Sequence, residues 1–383
     1  MRVHLVDLAE AGSGAAATAR RDRRDGFVAG LERAGHDVFV TTLDSDEFGS
    51  DEFGSKELAA QSPLECFEGV DVVHAWSVAA LAIAPRGPAL VVSPRVSVSR
   101  VAGQSVVHVE RGAAQALAKT TARIRTFVVP SVEAGSAWAP SLSSVPIVTV
   151  PTGVDTSLFT PDGPSAPARE GQLRILAVGT PGASHGFLDA VRAARHFASV
   201  DLVFTGGPGV DLAATQDARE TYALACSLGM GDQVSFARPF GDDLTAQVLR
   251  SADVILDVAG DDVTHCLVLQ SMAVGKPVIA SDMGAFADIV VDEVTGLTVP
   301  HGNEGKLRAA LRRLVDDAFF RDSLGLAGRD RAVSRFDWTR VTSEMVRVYE
   351  RSVVAAAPLV RSTAGGAEAA VATAPARLAA LET

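Results

Sequence analysis

The sequence predicts an α/β chain organised as two doubly wound domains, and three observations carry that expectation. A length of 383 residues accommodates two domains of ordinary size, and 47% hydrophobic with 21% charged residues is enough to bury sizeable cores. Short apolar runs suited to buried parallel strands recur along the chain and alternate with helical segments. A Pro/Gly/Ser-rich stretch, Asp162 to Gln172, separates two groups of such runs and reads as a linker.

Bulk properties exclude several functional classes. A net charge of −11 argues against a nucleic-acid polyanion as the main partner, so the binding of any anionic ligand must rest on local groups. Lysine is scarce, confined to Lys56, Lys119, Lys276 and Lys306. Cys66, Cys226 and Cys266 are odd in number and widely spaced, which speaks against a disulfide framework and for a reducing compartment. No CxxC or HxxxH spacing offers a metal site. The opening apolar run is too short for a signal peptide, and nowhere do eighteen apolar residues run without a charge. A cytoplasmic protein with no transmembrane segment is expected, with peripheral membrane contact left open.

In chain order, residues 2–8 form a first strand. Gly12-Ser13-Gly14-Ala15-Ala16-Ala17 then has the form GxGxxA of a phosphate-binding turn, which makes Gly12 and Gly14 candidate ligand contacts. The charged run Arg20 to Asp25 intervenes before an amphipathic helix at Gly26 to Ala34, so a flexible loop is the competing reading. Val38 to Thr42 is the next strand. Asp46-Glu47-Phe48-Gly49-Ser50 is repeated at once as residues 51–55, a duplicated acidic surface loop. Asp44-Ser45-Asp46 spells a metal-binding DxD there, which so acidic a segment yields by chance.

Val70 to Trp76 is a strand ending near His74, either a core histidine or a group facing a reacting ligand, and Leu90 to Ser93 follows as another. Glu110 to Thr121 reads as an Ala-rich helix, Arg125 to Val129 as a strand, and Ser131 as an N-cap. In the second half, strands at 173–178, 201–205, 234–236, 254–256 and 278–280 alternate with helices at 221–228, 244–252 and 266–273, and with one beginning at Phe187. Gly275-Lys276-Pro277 ends the 266–273 helix, because Gly fits just past a helix end and Pro cannot continue it. The loop before that helix leaves the carboxyl end of a strand, where open α/β sheets bind ligands. Amphipathic helices at 307–315 and 319–326 and a last helix to about Val354 complete the ordered chain, and the Ala-rich residues 355–383 read as a disordered tail.

The run Leu269 to Ser281 (LQSMAVGKPVIAS) resembles the donor-binding core of retaining glycosyltransferases of the GT-B fold, the large group 1 or family 4 type. Val148 to Asp155 with Phe159 and Pro161 resembles the domain-switch string of that family, Gly206 to Gly209 another landmark, and Asp292 to Pro300 its closing hairpin. The resemblance implies two Rossmann-like domains facing a cleft. It divides the chain into an acceptor-side domain at 1–155, a linker at 156–172, a donor domain at 173–340, a helix at 341–354 crossing back, and the tail at 355–383.

It implies a nucleotide-sugar donor and no metal or other cofactor. The acceptor it implies is a small molecule, a glycan or a lipid-linked acceptor. Asp262 and Gln270 stand at the spacing of the family's two glutamates, one for the donor sugar and one for the ribose. His74 matches a family histidine that faces the reacting sugar. Thr180 and His185, with Gly186, stand where an Arg and a Lys hold the diphosphate. Backbone N–H groups near His265, Cys266 and Leu267 would assist, and Arg238 would flank the nucleotide base. Because the diphosphate cations and both glutamates differ, two readings stand side by side. One is an active glycosyltransferase; the other is a degenerate protein that binds a ligand or serves a partner transferase as its auxiliary subunit. A nicotinamide-dependent oxidoreductase built on Gly12 to Ala17 is a third, and it explains nothing in the second half.

Overall fold

The computed structural model describes residues 1–9, 15–44, 68–77, 84, 87–94, 96–101, 104–109, 117, 120–179, 186–207, 210–238, 240–241, 244–262 and 265–356. Strands β1 (Arg2–Ala9), β2 (Asp37–Asp44), β3 (Val72–Ala75) and β4 (Ala89–Val92) belong to a first sheet, which β7 (Ile124–Val129) and β8 (Ile147–Thr149) complete. Its order is β2-β1-β3-β4-β7-β8, every pair parallel. Between them β5 (Val96–Val101) and β6 (Gln104–Val109) form a separate antiparallel hairpin.

Period-two alternation divides the first sheet's residues between two cores. Val6, Val73, Ala75, Leu90 and Val92 face one layer with α2 (Val132–Trp138). Val3, Leu5, Val72, Ala89 and Val91 face the other, covered by α1 (Ala15–Arg33) and by the last helix of the chain, α10 (Trp338–Ala356). Thus α10, reached from the second half, returns to roof the first sheet. Two glycines of α1 permit the approach: a Cβ on Gly26 would lie 2.3 Å from Trp338 Nε1, and one on Gly30 would lie 2.2 Å from Thr342 Oγ1.

A second sheet takes β9 (Leu173–Val178), β10 (Val200–Thr205), β11 (Val234–Phe236), β12 (Val254–Asp257), β13 (Val278–Ser281) and β14 (Leu297–Val299) in the order β11-β10-β9-β12-β13-β14, all parallel. Helices α3 (Phe187–Ala194), α4 (Gln216–Ser227), α5 (Thr245–Arg250), α6 (His265–Ala273), α7 (Gly284–Ile289), α8 (Glu304–Asp316) and α9 (Ala318–Arg331) connect and flank these strands. The expected doubly wound α/β architecture is what the chain adopts.

Two expectations need correction. The charged run at 20–25 lies inside α1, whose residues continue unbroken from Ala15, so no loop separates residues 15–17 from the helix. Asp292 to Pro300 is not a hairpin: a turn leads into β14, which pairs parallel to β13. The β5–β6 hairpin went unread, since Ser and Arg interrupt its apolar residues. Most of the helix expected at 110–121, the duplicated acidic loop and the tail beyond Ala356 lie outside the described residues. Among the described residues, no helix is long and apolar enough to cross a membrane.

Candidate active site in the cleft between the two sheets

In the second sheet the winding reverses between β9 and β12, which places a topological switch point at their carboxyl ends. There the chain is packed backbone against backbone. Gly186, at φ 68°, precedes α3, and a Cβ on it would come within 2.6 Å of the Val258 carbonyl oxygen. The same carbonyl accepts a 2.8 Å hydrogen bond from His301 Nδ1–H, just beyond β14. The His301 ring lies over Gly260, where a Cβ would meet Nε2 at 3.0 Å. Residues 258–260 are thereby clamped between the loops that follow β9 and β14. His301 escaped the sequence reading, and its only signal was a polar side chain at the carboxyl end of a strand.

Beyond this clamp the chain crosses to the first sheet's domain. Asp262 is buried, and its carboxylate accepts from Val98 N–H of β5 at 2.7 Å and from Ala285 N–H of α7 at 2.8 Å. Its own N–H donates to the Val98 carbonyl at 3.1 Å, and Ser99 and Asp261 form an antiparallel bridge alongside. In this structure, then, both Asp262 oxygens are spent on backbone amides from two elements.

His265 opens α6. Its Nδ1–H donates to the Asp262 carbonyl at 2.6 Å, which leaves Nε2 facing Thr152 Oγ1 at 3.1 Å, on the segment that leaves the first sheet. Burial opposes a charge on this ring, but the adjacent Cys266 sulfur and the Asp262 groups outweigh it and push the pKa up to about 9. Cys266 is half-buried one residue on, and Leu267 packs against a core of the second sheet. Gln270, one turn beyond Cys266, is half-buried, and its Oε1 is enclosed without a hydrogen-bond partner among the described residues. A buried acceptor of this kind calls for a ligand hydroxyl or N–H. The amino end of α6 adds amide donors and a partial positive charge, suited to an anion.

Other candidates lie elsewhere. His74 sits not in the cleft but in the core between the first sheet and α10. Its strand register puts it on the face of Leu5 and Val91. Trp76 Nε1–H donates to His74 Nδ1 at 3.0 Å, which makes that nitrogen an acceptor, and Tyr349 O–H joins it at 2.7 Å. Nε2–H then donates to Ser93 Oγ at 2.7 Å. Arg238 is exposed just after β11. Gly12, Gly14, Thr180 and His185 lie outside the described residues. Among the described residues, no group of three or more His, Cys, Asp or Glu could hold a metal.

Comparison with known proteins gives this geometry a context. Residues 173–317, the second sheet with its first helices, match the family described as glycosyl transferases group 1. The MMP alpha-(1->4)-mannosyltransferase of Mycolicibacterium hassiacum is 32% identical over 212 residues, 53% of this chain and 48% of that protein. The D-inositol 3-phosphate glycosyltransferase of Acidothermus cellulolyticus is 31% identical over 215 residues, 52% of this chain and 47% of that one. The chain thus matches about half the length of these curated relatives. Among solved structures, the sucrose-phosphate synthase of Thermosynechococcus elongatus superposes with a TM-score of 0.72 at 18% identity, covering 93% of this chain and 100% of that one. The Anabaena HepE protein in complex with UDP and glucose superposes with a TM-score of 0.66 at 15% identity, covering 91% of this chain and 99% of that one. The fold is the GT-B arrangement of two Rossmann-like domains.

Proposed function

We propose, from the premise that residues 173–317 carry a group 1 glycosyltransferase domain, that the protein transfers a sugar from a nucleotide-sugar donor to an acceptor bound on the first sheet's side of the cleft. The observation that carries this reading is the enclosed Gln270 Oε1 on α6, without a partner among the described residues and beside the switch point of the second sheet. A ribose hydroxyl donating to that oxygen satisfies it, while the diphosphate lies at the amino end of α6 and against the backbone near Gly186. His265, held by Asp262 and Thr152, supplies positive charge where the leaving diphosphate develops negative charge. Retention of configuration, independence of metal and a cytoplasmic site of action belong to the proposal through the family resemblance. The similarity to a mannosyltransferase and to an inositol 3-phosphate glycosyltransferase favours a hexosyl donor and a polar acceptor.

A second reading has its own observation. Asp262, at the position of a donor-sugar carboxylate, has both oxygens bound by protein amides. That favours a catalytically degenerate protein that binds a ligand or serves a partner transferase.

Calorimetric titration with UDP-, GDP-, ADP- and TDP-sugars, followed by assay of donor turnover, separates the two. The proposal expects one nucleotide series to bind and turn over, and Gln270→Ala to weaken that binding about five- to tenfold, the loss of one hydrogen bond. Binding without turnover supports the degenerate reading, and no binding by any of the four removes the donor-site assignment.

A further inference from the structure

The two domains are joined across the cleft by carboxylates whose partners are backbone amides of the opposite domain. Glu133, in the first turn of α2 on the first sheet's side, accepts from Gly284 N–H, the first residue of α7, at 2.6 Å. Asp288, in α7 on the second sheet's side, accepts from Val132 N–H, the first residue of α2, at 2.7 Å. Each helix therefore caps the amino end of the other. Asp262 adds a third tie by binding Val98 and Ala285 amides together. Met283, immediately before α7, is 1% exposed and packs within the first sheet's core rather than its own.

Physical reasons make this reciprocity consequential. Helices of seven and six residues have little stability of their own, and their first N–H groups have no partner within the helix. Neither end is closed by a local side chain alone: Ser131 serves the Ala134 N–H in α2, and Met283 offers α7 no capping oxygen. Gly284, at φ 53°, has no room for a side chain, because a Cβ there would lie 2.3 Å from Asp262 Oδ2. Separating the domains exposes both helix ends and both carboxylates to water, which replaces the lost bonds at modest cost, so the tie can open and re-form.

We infer that Glu133 and Asp288 form a reciprocal latch that holds the cleft closed and sets the separation of its two walls. The inference rests on the contacts between the domains and stands whether or not the protein transfers sugar.

Hydrogen exchange of the full chain tests it, because the latch alone predicts effects in the domain opposite the substitution. Glu133→Ala speeds exchange in the 284–289 segment about tenfold, and Asp288→Ala does the same in the 132–138 segment. The double variant has a larger radius of gyration in small-angle scattering than the natural chain. Should the alanine variants lose cooperative unfolding, Glu133→Gln, which keeps the shape and one neutral acceptor, gives a smaller rise in the 284–289 segment. Exchange that changes only within the substituted helix, or an unaltered 284–289 segment in both Glu133 variants, overturns the latch. So does an unchanged radius of gyration in a folded double variant.

Discussion

His74 and Gln270 show opposite fates for polar side chains inside the protein. His74 is 1% exposed, with both ring nitrogens bonded and Phe27, Trp76 and Tyr349 rings around it. Burial pushes the Tyr349 hydroxyl well above its ordinary pKa, so it remains a neutral donor to the ring. Removing the imidazole strands Tyr349 and Ser93 and leaves a cavity. His74→Ala should therefore lower unfolding stability by about 2–4 kcal/mol in urea titration, while the donor affinity of the folded fraction stays unchanged. A loss of affinity without a loss of stability would return His74 to the reacting centre. Gln270 Oε1, by contrast, has no hydrogen-bond partner among the described residues, and the proposal gives that acceptor to a ligand.

At the level of elements, the segment between the sheets explains a string that sequence reading could only match. Val154 N–H donates to the Phe336 carbonyl at 2.8 Å, and Trp338 N–H donates back to the Val154 carbonyl at 3.2 Å. Asp155 Oδ1 accepts from Ser157 N–H at 2.9 Å and Leu158 N–H at 3.1 Å, which closes the turn. Gly153 is required because a Cβ would lie 2.4 Å from Trp338 Cε3, and Trp338 begins α10 in the first sheet's core. Gly153→Ala should cost about 1–3 kcal/mol in thermal or urea unfolding, an overpacking penalty. Stability equal to the natural chain would mean that α10 shifts away at no cost.

For the whole molecule, the junction of the returning helix with the linker carries a pH dependence. Burial raises the Asp337 pKa, but hydrogen bonds from Thr156 Oγ1–H at 2.5 Å and Thr339 N–H at 2.8 Å outweigh it and hold the carboxyl below its ordinary value. A carboxyl whose folded pKa is depressed stabilises the fold above its unfolded pKa, and that contribution is lost as pH falls through the folded pKa. Asp337→Asn should therefore be less stable than the natural chain at neutral pH by about 1 kcal/mol. The gap should close on acidification below the ordinary carboxylate range, near pH 4. A gap that persists unchanged to pH 2 would show that the aspartate acts through shape rather than charge.

The sequence by itself determined the class of the protein. Strands at 173–178, 234–236 and 254–256, the N-cap Ser131 and the Gly275 helix end were legible because period, capping chemistry and turn residues act within a few residues. It also placed the loop before α6 at the carboxyl end of a strand, as the structure has it after β12. Only the tertiary structure decided which side chains are free to meet a ligand. His74 and Asp262 are polar residues at or just beyond strand ends, in keeping with a site, yet their partners, Tyr349 and Val98, lie 275 and 164 residues away. His301, Glu133 and Asp288 gain their roles in the same way, from backbone groups brought near by the two sheets. A hydrogen bond saturates a polar atom whatever the distance along the chain, so spacing can nominate a site residue but only packing shows whether its atoms are already taken.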